Sequence, residues 1–119
     1  MRGKIKPRQT VLEKTVEKYL CDRVRATGGE QRKLVFPAYR GAPDRLVGWP
    51  AKTVPHPVAA NWVTPVYARH ALIELKKPKG KGAEDHQQRE HKRLRAIGFD
   101  VRVIHTKEEV DAFIAEMTG

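Results

Sequence analysis

One cysteine, Cys21, stands in a chain of 119 residues, so no internal disulfide can staple the fold, and a reducing compartment is expected. No apolar run approaches the roughly 20 residues that a membrane-spanning helix needs. The N-terminal Met1-Arg2-Gly3-Lys4-Ile5-Lys6-Pro7-Arg8 is basic with no apolar segment behind it, which does not fit a secretory signal. The expected location is therefore the cytoplasm of a cell or of a virus-infected host cell. Zinc is disfavoured too: there is no thiolate cluster, and His56, His70, His86 and His105 do not fall at ligand spacing. Internal repeats and low-complexity segments are absent. Acids are scarce, 14 Asp and Glu against 24 Lys and Arg, for a formal charge of +10 and a pI near 10.1. Such a balance draws polyanions, nucleic acid foremost, and it makes the position of each remaining acid informative.

The length suits one domain, which buries about two-thirds of its extended-chain surface on folding. Residues 1–9 read as a basic arm and residues 10–119 as the folded domain. Thr10 is placed to cap a helix in which Val11, Leu12, Val16, Tyr19, Leu20 and Val24 recur at helical spacing, with Gly28-Gly29 as its stop. Strands are expected at Lys33-Leu34-Val35-Phe36 and Asp44-Arg45-Leu46-Val47-Gly48, joined by a turn at Tyr39-Arg40-Gly41-Ala42-Pro43. Residues 49–69 carry Pro50, Pro55, Pro57 and Pro65 with no sustained period, and read as a long surface excursion. Trp49 and Trp62 in it are read first as packing against their own domain, with base stacking or a protein contact as alternatives. A strand follows at residues 70–76, then the basic loop Lys77-Pro78-Lys79-Gly80-Lys81-Gly82. A helix from Glu84 to about Ile97, a strand at residues 99–104 and a final helix capped by Thr106 complete the order α-β-β-β-α-β-α. This is an α/β fold, a mixed central sheet flanked by helices.

In a strand over residues 70–76, Glu74 and Lys76 share a face because side chains alternate with a period of two. With Asp44 beside them at the start of an earlier strand, two hard carboxylates can hold Mg²⁺ or Mn²⁺ while Lys76 meets a water or a phosphate oxygen. That combination serves phosphodiester hydrolysis. Lys77 points the other way and reads as a phosphate contact, and Arg40, Arg45, Lys79 and Lys81 join it as candidate nucleic-acid contacts. Glu13 and Glu17 lie one helical turn apart, so either can reach the site while the other pairs at the surface. Gln87 and His91 repeat that spacing on the later helix, Gln87 as a group able to hydrogen-bond a metal-bound water or a phosphate and His91 as a helix-packing or backbone-contacting residue.

The ordered set of Glu13, Glu17, Gly28-Gly29, Arg40-Gly41-Ala42-Pro43-Asp44-Arg45, Ile73-Glu74-Leu75-Lys76-Lys77-Pro78, Gln87, His91, Leu94, Gly98 and Val101 resembles the VRR-NUC family. That family is a branch of the PD-(D/E)XK nuclease superfamily, with a restriction-endonuclease-like sheet. The resemblance covers roughly residues 10–117. It implies that the metal-binding acids are Asp44 and Glu74, that the backbone carbonyl of Leu75 is a further ligand, that Lys76 is the catalytic lysine, that Glu13 is the helix acid, acting directly or through water, and that Gln87 lies near the site. It further implies a Mg²⁺- or Mn²⁺-dependent deoxyribonuclease acting as a homodimer, with branched DNA such as a four-way (Holliday) junction as the expected substrate. Residues 49–69 exceed what such proteins usually carry between the two acids. A non-catalytic nucleic-acid-binding or partner-recruiting module of the same fold is the competing reading. The intact acid-acid-lysine set weighs against it, since a pure binder gains nothing from carboxylates facing phosphates.

Overall fold

The structure is a computed structural model that describes residues 11–76 and 84–119. The basic arm at residues 1–9, the Thr10 cap and the loop carrying Lys77, Lys79 and Lys81 lie outside the described residues. Helix α1 (Val11–Ala26) buries Val16, Leu20 and Val24, one turn apart. It ends at Gly28, whose φ of +86° is left-handed backbone that glycine adopts without strain, and the Gly29 N–H returns to the Val24 carbonyl at 2.8 Å.

Strands β1 (Glu30–Lys33), β2 (Arg45–Trp49), β5 (Arg69–Leu75) and β6 (Val101–Ile104) form a four-stranded sheet in the order β1-β2-β5-β6. The β1–β2 and β2–β5 pairs are antiparallel and β5–β6 is parallel. The parallel pair is joined through helix α2 (Asp85–Ala96), the crossover such a connection demands. Helix α3 (Lys107–Thr118) closes the chain, with Thr106 as its cap: Thr106 Oγ1 accepts from the Glu109 N–H at 3.1 Å, and Glu109 Oε1 accepts from the Thr106 N–H at 3.0 Å. No helix among the described residues is long and apolar enough to cross a membrane.

Each face of the sheet has its own core. On one side Val16, Leu20 and Val24 of α1 and Val110, Phe113, Ile114 and Met117 of α3 meet Val47, Trp49, Ala71, Ile73, Leu75 and Ile104. On the other, Leu94 of α2 meets Leu72 and Val101, with Leu34, Phe36 and Leu46 packed around them. Fully burying a Val, Leu, Ile, Phe or Met side chain in such a core contributes about 1.5–3 kcal/mol. The alternation along β5 settles the position of the site. Ala71, Ile73 and Leu75 face α1 and α3, so Glu74 falls with Leu72 on the α2 side.

Two expectations are corrected. The second element is Glu30–Lys33 rather than residues 33–36. Pairing continues only as far as the Leu34 N–H on the Asp44 carbonyl, because Pro37 has no N–H to offer and Ala38 turns with φ +68°. Leu34 and Phe36 leave the ladder and pack on the α2 side instead. The excursion at residues 49–69 is also structured: β3 (Lys52–Pro55) and β4 (Val63–Val66) pair antiparallel as a separate two-stranded ribbon. In a ribbon both strands are edges, where a proline nitrogen can face solvent without breaking the ladder.

Candidate active site

The site assembles where the starts of β2 and α2 meet the end of β5. Asp44 immediately precedes β2 and is buried, as is Pro43 before it. Its N–H donates to the Ile73 carbonyl at 2.8 Å, one residue out of the Arg45–Ile73 register that β2 keeps. This bulge-like step re-aims the side chain, and Asp44 Oδ2 accepts from the Leu75 N–H at 2.8 Å. The carboxylate is thereby fixed to the backbone directly after Glu74.

Glu74 is 1% exposed and lies against α2. Gln87 Nε2 donates to its Oε2 at 3.2 Å, and His91 Nε2 stands 3.6 Å from its Oε1. The Gln87 carbonyl oxygen Oε1 accepts from the Glu84 N–H at 2.9 Å, so one amide both closes the start of α2 and orients the acid. The turn before Asp44 seats this helix. Gly41 has φ +84°, and a Cβ there would come within 2.9 Å of Gln87 Cα and the His86 carbonyl oxygen. Only glycine lets the chain pass so close. Lys76 N–H still donates to the Ile104 carbonyl at 3.0 Å, and strand parity keeps it on the Glu74 side. It is half-buried and makes no salt bridge with a described residue.

The remaining candidates are placed elsewhere. Glu13 sits half-buried in the first turn of α1, the helix covering the opposite face. Glu17 is ion-paired within the fold: its Oε2 accepts from Arg45 Nε at 2.8 Å, with both side chains mostly buried. Arg45 also donates through a terminal nitrogen to Gln31 Oε1 at 2.7 Å, so its guanidinium is committed within the fold. Arg40 is exposed on the turn. Trp49 belongs to the core, its indole N–H donating to Thr27 Oγ1 at 3.0 Å. The residue with more contact to the site than its sequence reading gave is His91, and the four-residue spacing from Gln87 was its signal.

The donor set fits a hard divalent cation. Among the described residues no three His, Cys, Asp or Glu side chains group as a metal cage, whereas Asp44 and Glu74 are two buried oxygen donors. Mg²⁺ is commonly held in this way, by one or two carboxylates with water and substrate phosphate completing its octahedron.

No protein-family profile matches the chain. A curated relative, "Putative nuclease p44" of Acyrthosiphon pisum secondary endosymbiont phage 1, is 34% identical over 98 residues, covering 82% of this chain and 87% of its own length. A solved structure described as a VRR_NUC domain superposes with a TM-score of 0.66 at 32% identity, over 89% of this chain and 97% of the other. The chain belongs to the VRR-NUC family of nucleases. In this VRR-NUC chain the mixed sheet and flanking helices are the family's fold, and the added ribbon leaves that framework intact.

Proposed function

We propose that this nuclease hydrolyses phosphodiester bonds of DNA with a divalent metal, Mg²⁺ or Mn²⁺, held by Asp44, Glu74 and the Leu75 carbonyl. The observation that carries the reading is the convergence of two buried carboxylates, one tied to the Leu75 N–H and the other held by Gln87. The bound ion would supply charge neutralisation at the scissile phosphate and a lowered pKa for the attacking water. The protein does the rest. Gln87 orients Glu74 through its hydrogen bond, with the His91 ring packed beside the carboxylate, and the Leu75 N–H orients Asp44. Lys76 places its ammonium by the phosphoryl oxygens, where negative charge grows in the transition state. Water oxygen adds to phosphorus and releases a proton to solvent, the opposite P–O bond breaks, and the departing oxygen takes up a proton from solvent, so that water is divided between the two products. Glu13 is assigned an outer role, reaching the site through water.

A domain of this size offers a duplex a small footprint. Two copies related by a two-fold axis would each cut one strand, which suits a four-way junction or a similar branch. The test is cleavage of labelled four-way junction, flap, single-stranded and linear duplex DNA with Mg²⁺ or Mn²⁺, alongside EDTA and Lys76→Ala controls. Metal-dependent cutting that is strongest on branched DNA and lost in Lys76→Ala is expected. Binding without cutting by the wild type under every condition would replace this reading with a non-catalytic module.

A further inference from the structure

The β3–β4 ribbon takes no part in either apolar core: none of its residues joins the clusters on the two faces of the sheet. A two-stranded hairpin is marginal in water without something packed against it, yet this one leaves Val58, Trp62, Val63 and Tyr67 well exposed, Trp62 at 66% and Tyr67 at 78%. Its tip is nonetheless ordered. The Val58 and Ala59 N–H groups both donate to His56 Nδ1, at 3.1 and 2.9 Å, and the His56 N–H donates to the Trp62 carbonyl at 3.0 Å. The Trp62 ring stands edge-on to His56, with centroids 6.5 Å apart. The turn that carries this exposed indole is thus held by hydrogen bonds of its own.

Charge identifies the occupant. Asp and Glu make up 14 of 119 residues, yet none occurs from Arg45 to Ile73. The whole ribbon is free of carboxylates, while Lys52 lies on it and the chain carries +10 overall. The same ribbon of a second copy, equally free of carboxylates, offers it no charge complement. A polyanion with π-faces is a good one, and a two-stranded ribbon has the width that the DNA major groove admits. Aromatic side chains stack on any base, most readily where a duplex is interrupted and bases are unstacked.

We propose that the β3–β4 ribbon is a DNA-contacting arm whose Trp62 stacks on a base exposed at a branch or break in the duplex. This rests on the DNA-nuclease reading above, so wild-type cleavage is measured first in the same preparation. Binding of a labelled four-way junction and a matched linear duplex is then compared between Lys76→Ala and the doubles Lys76→Ala/Trp62→Ala and Lys76→Ala/Trp62→Phe. Trp62→Ala is expected to weaken junction binding about tenfold, near 1.4 kcal/mol, to weaken duplex binding less, and to leave the melting temperature unchanged. Trp62→Phe should restore most of the loss. Unchanged junction affinity in Trp62→Ala, with the wild type still cutting, overturns the arm and leaves the nuclease standing. So does a DNA-free shift from dimer to monomer on sedimentation, which would make the ribbon a protein contact. A wild type that neither binds nor cuts DNA overturns both.

Discussion

Gly41 offers a sharp test of how the turn and α2 hold the site together. An alanine there suffers twice. Left-handed backbone costs a non-glycine residue about 1–2 kcal/mol, of which up to about 1 is returned by a stiffer unfolded chain. The new Cβ would also lie 2.9 Å from both Gln87 Cα and the His86 carbonyl oxygen. Carbon atoms prefer about 3.5–4.0 Å, so backbone must move by roughly half an ångström or more, and such overpacking costs about 1–3 kcal/mol. Gly98 supplies the control, since its φ of +103° carries the conformational cost but a Cβ there meets nothing within 4 Å. At about 4 °C per kcal/mol for a domain of this size, Gly41→Ala should melt about 8–16 °C below wild type and Gly98→Ala only about 4 °C below. Gly41→Ala should also cut DNA more slowly at temperatures where it is folded, because a displaced α2 loosens the Gln87–Glu74 bond. Calorimetric melting of the three proteins reads this directly. Melting temperatures for Gly41→Ala and Gly98→Ala within 2 °C of each other would refute the claim that the turn is wedged against the helix.

Other consequences can be checked in parallel. His91→Ala removes the imidazole that stands 3.6 Å from Glu74 Oε1 and should weaken Mn²⁺ binding in a calorimetric titration more than it lowers the melting temperature; unchanged affinity would return His91 to a packing role. Trp49→Phe loses the indole bond to Thr27 and should cost about 1 kcal/mol in denaturant unfolding, whereas Trp62→Phe should cost nothing measurable. The bond from Arg102 holds the Glu116 carboxyl below its usual 4.5. A depressed folded-state value adds stability above the unfolded pKa that is lost as pH falls through the folded one. Glu116→Gln should therefore flatten the stability profile below about pH 4.5 and leave its shape at neutral pH unchanged; an identical acid limb would contradict the pairing. Burial pushes the Cys21 thiol up, so a thiol-specific reagent at neutral pH should label it only as fast as the protein opens.

Much of the framework was legible because its signals are local. Val16, Leu20 and Val24 mark the buried face of α1 by spacing alone, Thr106 and Glu109 form the cap their sequence spells, and alternation along β5 puts Glu74 with Leu72 on the α2 side. The misreadings arose where tertiary context decides. Glu30-Gln31-Arg32-Lys33 has no strand pattern, since an edge strand can be polar on both faces and takes its identity from its partner β2. Prolines at positions 55 and 65 argued against strands, and would have excluded them in a central position, but a free ribbon tolerates them. The tryptophans divide because Trp49 ends β2 facing the α1–α3 core while Trp62 sits at the ribbon tip, and no local pattern distinguishes them. Arg45, a candidate phosphate contact by sequence, is paired with Glu17, 28 positions earlier, a contact no local pattern announces.

The central claim is that Asp44, Glu74 and Lys76 form a single cutting site, and single-turnover cleavage of a labelled four-way junction in Mg²⁺ by wild type, Asp44→Asn, Glu74→Gln and Lys76→Ala tests it most directly. Loss of at least a hundredfold in rate is predicted for all three variants, with junction affinity largely retained because phosphate contacts supply most of it. Wild-type rates in the purified, folded variants would contradict the account.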